Sequence, residues 1–181
     1  MVVTSNFGLI YLIPKLYPIL NAMSEHSITL LLPKDCSKEQ LKQFHDLVIS
    51  GKQVQAEGLP ERIASAALLA FAHVDGKLAG VASIKNQKRS YITGIFLKAK
   101  VPRLAEHFDH EIGYAVTHRD FRRRGISRDL IGRLMDSKLK AKFYATTKND
   151  DMRTLLEKIG FKKTGQSYQN LNGETLDIYT L

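Results

Sequence analysis

The sequence predicts a single α/β (α+β) domain, and three local patterns support this prediction. Asp75 with Gly76, and Asn172 with Gly173, each separate two runs of strand-forming residues. Both patterns predict a β-hairpin, and Asp75 with Gly76 suits a two-residue type I′ turn. Between the two hairpins, apolar residues recur at helical spacing after Gly125. The length of 181 residues, with 44% hydrophobic and 25% charged residues, suits one globular domain with one core.

The first half of the chain is predicted to form a strand, two helices and a hairpin. Ser37 and Gln40 form a capping-box pattern, in which each side chain bonds a backbone N–H of the other residue, so a helix starts there. Pro60 suits the first turn of a second, shorter helix. The apolar face of the first helix comprises Leu41, Phe44, Leu47 and Val48. The strands are predicted at residues 27–32, 68–74 and 77–84.

The second half opens with a long connection, residues 85–110, in which no hydrophobic period persists. A connection of this length in a compact domain is usually functional or locally folded. Later in the chain, Gly160 is well placed to end the last helix. The predicted order after the connection is a strand at 111–117, a helix at about 125–138, a strand at 143–148, a helix at 150–159, and hairpin strands at 161–168 and 174–181.

Residues 1–26 are predicted to be an N-terminal extension, and the folded domain is predicted to span residues 27–181. Residues 7–20 are apolar apart from one lysine, but two prolines interrupt them and they are too few to cross a bilayer. Without a basic leader or a clear cleavage site, the segment is not predicted to be a signal peptide. Either it covers an apolar patch or forms a subunit contact in a homodimer, or translation starts at Met23.

The formal net charge of +9 points to an anionic partner or a solubilising role. Most of the excess lies between Arg119 and Lys142, around the helix start at Gly125, and this placement favours a polyanionic small ligand. Nucleic acid stays open as a partner, although the segment has no helix-turn-helix, RNA-recognition or zinc-finger pattern. The single cysteine, Cys36, has no Cys or His motif around it and fits a reducing, cytoplasmic location.

The segment from Glu111 to Arg128 carries the most informative functional pattern. Gly125 stands where a loop turns into a helix, and a helix N-terminus offers unpaired N–H groups and partial positive charge to a phosphate. A glycine there lets the backbone approach the ligand, and the arginines add fixed charge and bidentate donors. The residues predicted to bind phosphate are Arg122, Arg123, Arg124, Gly125, Ile126, Ser127 and Arg128.

This loop resembles the acyl-CoA signature of the GNAT superfamily of N-acetyltransferases. Arg122, Gly125 and Ser127 occupy its Gln-or-Arg, Gly, and Gly-or-Ala places. Ser127 departs from the pattern, but it is also small. The resemblance implies acetyl-CoA as the co-substrate that donates the acyl group.

Two further features resemble the same family. Asn149 at the start of the last helix, together with Gly160 and Phe161 after it, is similar to the family's second motif, and the order of elements matches from about Ser27 to the end. The resemblance implies a central mixed, mainly antiparallel sheet of six to seven strands flanked by about four helices. In the family, the fourth and fifth strands splay apart to admit acyl-CoA. The further residues expected to contact acetyl-CoA are Ala115, Val116, Thr117 and Asn149.

Glu111 is the expected base, because it stands where many family members carry a glutamate that deprotonates the amine. Period-two alternation predicts that it faces away from Ile112, Tyr114 and Val116, on the wetter side of its strand. The alternative role for Glu111 is to balance the charge of nearby arginines. The tyrosine that protonates the departing thiolate in the family is replaced by Leu156. Tyr114, Tyr168 or water are the remaining proton donors.

The leading functional interpretation is an acetyl-CoA-dependent N-acetyltransferase that moves an acetyl group to a primary amine by direct attack on the thioester. Leu156 keeps open a second interpretation, a non-catalytic acyl-CoA-binding module. A third is a CoA-dependent enzyme whose acceptor belongs to a nucleic acid or an aminoacyl-tRNA. It depends on basic residues assigned to the long connection: Lys85, Lys88, Arg89, Lys98, Lys100 and Arg103.

Overall fold

The computed structural model describes residues 26–139 and 141–181, so the predicted N-terminal extension lies outside the described residues apart from His26. Its strands are β1 (Ser27–Leu31), β2 (Leu68–Val74), β3 (Lys77–Asn86), β4 (His110–Thr117), β5 (Phe143–Thr147), β6 (Lys162–Gln169) and β7 (Thr175–Thr180). They form one sheet in the order β1-β2-β3-β4-β5-β7-β6. Only β4 and β5 are parallel neighbours. The predicted mixed, mainly antiparallel sheet is therefore confirmed.

The described residues contain five α-helices, one more than the predicted pattern. They are α1 (Lys38–Ser50), α2 (Leu59–Ala64), α3 (Arg89–Lys98), α4 (Ile126–Met135) and α5 (Asp150–Lys158). The unpredicted helix is α3, which lies in the long connection together with a 3-10 helix, Pro102–His107. Its start has no side-chain cap, and the exposed apolar residues Tyr91 and Leu97 blur its buried stripe. The helical period was therefore hard to detect.

The capping box of the first helix and the turn of the first hairpin are present where the sequence predicted them. Ser37 and Gln40 make both hydrogen bonds of the capping box at the start of α1. Asp75 and Gly76 have φ values of 49° and 74°, the left-handed conformations that a type I′ turn requires. At the second hairpin, Asn170 N donates to Glu174 O, so the connection around Asn172 and Gly173 is longer than two residues. In the described part of the chain, no helix is long and apolar enough to cross a membrane.

Buried side chains form three clusters against the sheet. The largest packs α4 and α5 onto one face, with Leu130, Leu134 and Leu156 among its members. A second packs α1 and α2 and includes Phe44 and Tyr114. The third joins α3 to the end of the sheet that holds β5, β6 and β7. Helices thus cover much of the sheet.

Strand β4 contains a β-bulge against β3. The register shifts by one residue between Gly113 and Val116, so Tyr114 and Ala115 lie opposite a single β3 residue. Tyr114 accordingly has a φ of 52°, which is uncommon for a residue with a side chain. The bulge breaks the period-two alternation on which the predicted facing of Glu111 depended.

Strands β4 and β5 are paired over only three residues. The register runs from His110 opposite Phe143 to Ile112 opposite Ala145 and then stops. Both strands continue beyond that point, β4 to Thr117 and β5 to Thr147. The two strands therefore splay apart, as the family resemblance implied.

Candidate active site

The divergence of β4 and β5 opens a cleft of about 900 Å³, a volume that suits a cofactor-sized ligand. Its lining includes twelve of the thirteen residues predicted for the site: Glu111, Tyr114, Ala115, Val116, Thr117, Arg122, Arg123, Gly125, Ile126, Ser127, Arg128 and Asn149. The exception is Arg124, whose guanidinium lies 5.6 Å from the centroid of the Phe121 ring. The structure thus brings the loop, the bulged strand and the start of α5 to one opening.

The loop before α4 has a geometry that suits phosphate binding. Gly125 is the N-cap of α4 and has a φ of 76°, which costs glycine little because it has no Cβ. A Cβ at this position would lie 3.2 Å from the Arg128 guanidinium. Arg122, Arg123 and Arg128 are exposed and line the cleft. The helix start therefore offers N–H groups without intrahelical partners and three cationic side chains, of which Arg128 also donates to Asp129 Oδ1 at 2.8 Å.

A hydrogen bond between two hydroxyl side chains connects the start of α4 to the end of β4. Thr117 Oγ1 and Ser127 Oγ lie 2.8 Å apart, and either hydroxyl can donate the bond. Next to it, the side chain of Ile126 is buried in the main core. That side chain anchors the first turn of α4, which leaves the backbone of Ile126 as its contribution to the cleft.

Glu111 stands where the two strands separate, and it is buried rather than on a wet face. Only 2% of the residue is exposed. Its Oε2 accepts hydrogen bonds from Lys85 Nζ at 2.7 Å and Gln87 Nε2 at 2.5 Å, and its Oε1 accepts one from Thr146 Oγ1 at 2.7 Å. The prediction that Glu111 lies on the wetter side of its strand was therefore wrong, because residues from β3 and β5 enclose it.

The predicted opposition of Glu111 and Tyr114 was also wrong. The Lys85 ammonium bonds Glu111 and lies 5.0 Å from the centroid of the Tyr114 ring, so both side chains are on the same side of β4. Tyr114 is buried and packs edge-on against Phe44. The extra residue of the bulge turns Tyr114 to this side.

The residue that pairs with Glu111 on β5 is a tyrosine that stays neutral. Tyr144 pairs with Glu111 across β4 and β5 and is fully buried. Burial raises the pKa of the Tyr144 phenol, and the Glu111 carboxylate raises it further. Tyr144 therefore stays protonated and adds no second negative charge beside the candidate base.

The start and inner face of α5 form another wall of the cleft. Asn149 caps the helix by accepting a hydrogen bond from Met152 N at 2.9 Å. Leu156 lines the cleft but is 1% exposed and belongs to the main core. Tyr168 lies in the third cluster with α3, away from the cleft lining. Of the two tyrosines considered as proton donors, Tyr114 is the one at the cleft.

Sequence reasoning missed the partners that hold Glu111. Lys85 was assigned to the long connection as a residue that could contact nucleic acid, whereas it lies in β3 opposite Glu111 and its side chain is 17% exposed. Arg89, another of those basic residues, donates to the Phe108 carbonyl at 2.9 Å. A correct β3–β4 register would have revealed Lys85. No sequence signal marked Gln87 or Thr146.

A second ion pair lines the cleft at the connection between β6 and β7. Lys148 donates a hydrogen bond to Glu174, and Asn170 donates to the same carboxylate at 2.8 Å. The Lys148 bond, with a smaller contribution from Asn170, lowers the pKa of the Glu174 carboxyl. All three residues line the cleft, so this part of its wall is polar and its opposite charges are paired.

A model of the acetyltransferase (GNAT) domain family matches residues 32–175. The match covers most of the chain, which therefore belongs to the GNAT acetyltransferase family, whose members transfer acyl groups from acyl-CoA. No curated protein sequence matches the chain.

The fold is also similar to solved structures at low sequence identity. FeeM, an N-acyl amino acid synthase from uncultured soil microbes, aligns with a TM-score of 0.66 and 12% identity over 86% of this chain and 90% of that chain. An acyl-CoA N-acyltransferase from Pseudomonas aeruginosa aligns with a TM-score of 0.62 and 14% identity over 86% of this chain and 98% of that chain. The ribosomal-protein-S18-alanine N-acetyltransferase from Escherichia coli aligns with a TM-score of 0.58 and 15% identity over 86% of this chain and 92% of that chain. These similarities concern the fold.

Proposed function

We propose that this protein is an acetyl-CoA-dependent N-acetyltransferase that moves the acetyl group to a primary amine by direct attack on the thioester. The observation that carries the proposal is the position of Glu111. Its buried carboxylate stands where β4 and β5 separate, in the cleft that the arginine-rich helix start also lines. The single cysteine supports a cytoplasmic location.

The donor would occupy the splayed side of β4. Its diphosphate would lie on the N–H groups of the loop between Arg123 and Ser127, with arginine side chains neutralising the charge. The pantetheine arm has amide groups that can pair like a strand with the backbone of Ala115 to Thr117. This stretch has no register partner in β5. The bulge at Tyr114 offers a main-chain N–H to the developing oxyanion.

Glu111 would take the proton from the acceptor amine, directly or through a water molecule. A carboxylate has about four lone-pair sites, and three protein donors use three of them, so one site remains for the proton transfer. The amine nitrogen forms the new C–N bond while the C–S bond of the thioester breaks. The departing thiolate takes a proton from Tyr114 or from water, and its low basicity makes this step undemanding.

A non-catalytic acyl-CoA-binding module is the second candidate function. Leu156 favours it, because it replaces the tyrosine that serves as the general acid in the family. Leucine is apolar, and this residue is 1% exposed. Such a module would bind acetyl-CoA through the loop and release no CoA with any amine.

The test is an amine screen with acetyl-CoA, read by release of free CoA thiol, alongside the acetyl-CoA-induced shift in melting temperature. The panel should contain an amino acid, a peptide with an N-terminal alanine and a polyamine. The first two follow from the names of two proteins with similar folds. Amine-dependent thiol release supports the transferase. A melting shift with no release for any amine supports the binding module.

A further inference from the structure

Lys85 reaches from β3 across β4 into the cleft. Its side chain runs over Gly113, where an added Cβ would lie 2.7 Å from Lys85 Cδ. The ammonium ends 2.7 Å from Glu111 Oε2 and 5.0 Å from the centroid of the Tyr114 ring. The side chain is 17% exposed and lines the cleft. The mechanism above gives this primary amine no role.

We propose that Lys85 is itself an acyl acceptor, so that the protein acetylates its own Lys85 from bound acetyl-CoA. The inference rests on the proposed function, because it uses the same donor site and the same base. Lys85 has the chemistry of the proposed substrate and already lies against the carboxylate that would deprotonate a substrate amine. Its covalent attachment also removes the entropic cost of bringing an acceptor into the cleft.

The reaction balances with groups already in the cleft. The Lys85 ammonium gives one proton to Glu111, and the neutral Nζ attacks the carbonyl carbon of the thioester. A C–N bond forms and the C–S bond breaks. The nitrogen loses its second proton as the amide forms, and the CoA thiolate gains one as it leaves as free thiol. The flexible lysine stem and the missing side chain at Gly113 give Nζ room to move from the ion pair to the thioester.

The product would change the cleft. An acetylated Lys85 is neutral, so it no longer forms an ion pair with Glu111 or a cation contact with the Tyr114 ring. Glu111 would keep Gln87 and Thr146 as partners. An external ammonium would then no longer compete with Lys85 for the carboxylate.

The experiment is incubation of the purified full chain with acetyl-CoA and no added amine, followed by peptide mass spectrometry. We expect one acetyl group on Lys85, formed with a first-order rate constant that does not depend on protein concentration. Two lysines serve as internal controls for chemical acetylation: Lys148, which also lines the cleft, and the exposed Lys77 on the same strand. Both should react at least about tenfold more slowly, since neither is placed beside the base.

Three variants sharpen the measurement. Lys85→Arg keeps the positive charge but should abolish the modification while acetyl-CoA still raises the melting temperature. Gly113→Ala displaces the lysine stem and should slow acetylation of Lys85 without changing that of Lys77. Reversing charge at Arg122 and Arg123 should remove the Lys85 reaction and leave the chemical background.

Outcomes separate this inference from the proposed function. A protein that acetylates an external amine while Lys85 stays unmodified would overturn the inference and leave the function standing. Acetylation of Lys85 at the rate of Lys77, or at a rate that scales with protein concentration, would also overturn it. Binding of acetyl-CoA with no transfer to Lys85 or to any amine would overturn both.

Discussion

The loop end and the Glu111 end of the cleft hold their charges in opposite ways. At the loop end, Arg122, Arg123 and Arg128 are exposed and come from one short segment. At the other end, a carboxylate that is 2% exposed is held by side chains from β3, from the residue after it, and from β5. The difference suits the two tasks. In the proposed function, the loop binds and releases a soluble polyanion, whereas proton transfer at Glu111 gains from a dry site in which electrostatic interactions are stronger.

The two ends should therefore fail differently when they are changed. Exposed arginines need no buried partner, so their loss weakens ligand binding and leaves the fold intact. Glu111 forms an ion pair with the Lys85 ammonium. Its loss should therefore lower the rate of transfer and leave a partly buried cation without its partner. The predictions below test this contrast, beginning with the largest expected effect.

Glu111→Gln should reduce turnover by roughly 10² to 10⁴ at neutral pH, because the variant keeps the size of the side chain and loses the base. The loss should shrink as pH rises and free amine becomes available without help. Thiol release and the acetyl-CoA melting shift, measured on the same sample, check this. An equal loss of acetyl-CoA binding would show that Glu111 is structural.

A matched control for that variant is Asp177→Asn. Asp177 is 4% exposed, pairs with Arg153 and Lys163, and lies outside the cleft lining. It therefore reproduces the loss of a buried, ion-paired carboxylate. We expect it to lower the melting temperature while the folded protein keeps its turnover.

The same contrast explains what the sequence could predict. The loop end was predicted from the sequence apart from Arg124, which does not line the cleft, because a helix start suited to phosphate is a local pattern of glycine and arginine. At the buried end the sequence predicted only Glu111 and Tyr114. Its partners Lys85, Gln87 and Thr146 come together through sheet register, which depends on tertiary structure. The bulge at Tyr114 also depends on tertiary structure, because a register shift leaves no signal in the local sequence. It reversed the predicted facing of Tyr114 relative to Glu111.

Reversing charge at Arg122 and Arg123 together should weaken acetyl-CoA binding roughly 100-fold, because two charge-assisted contacts become repulsive. The melting shift should largely disappear, whereas the unliganded protein should melt as the parent does. Arg133→Glu is the control, since Arg133 is exposed on α4 and does not line the cleft. An equal loss in that control would mean that net charge, rather than the loop, determines binding.

Leu156→Tyr tests whether the apolar wall limits the rate. Leu156 is buried in the main core, so the larger ring should cost about 1 to 3 kcal/mol of stability. A phenol near the leaving thiolate could donate its proton, and we expect turnover at least equal to the parent and up to about 10² faster. Leu156→Phe has a similar ring without the hydroxyl and should show the stability loss alone. A folded tyrosine variant that binds acetyl-CoA normally but turns over much more slowly would contradict the idea that the lack of a general acid at residue 156 limits the rate.

The smallest expected effect is at the hydroxyl pair that joins β4 to the loop. Thr117→Val and Ser127→Ala each remove one partner of the 2.8 Å hydrogen bond, whose net contribution should be about 1 kcal/mol. If the bond mainly holds the loop in place, each variant should weaken acetyl-CoA binding by roughly fivefold. The double variant should then lose little more than either single one, because both changes delete the same interaction. Titration of the four proteins in a double-mutant cycle measures this coupling. Additive losses would instead mean that each hydroxyl contacts the ligand independently. The loop end would then resemble the Glu111 end, because its side chains would act directly on the ligand.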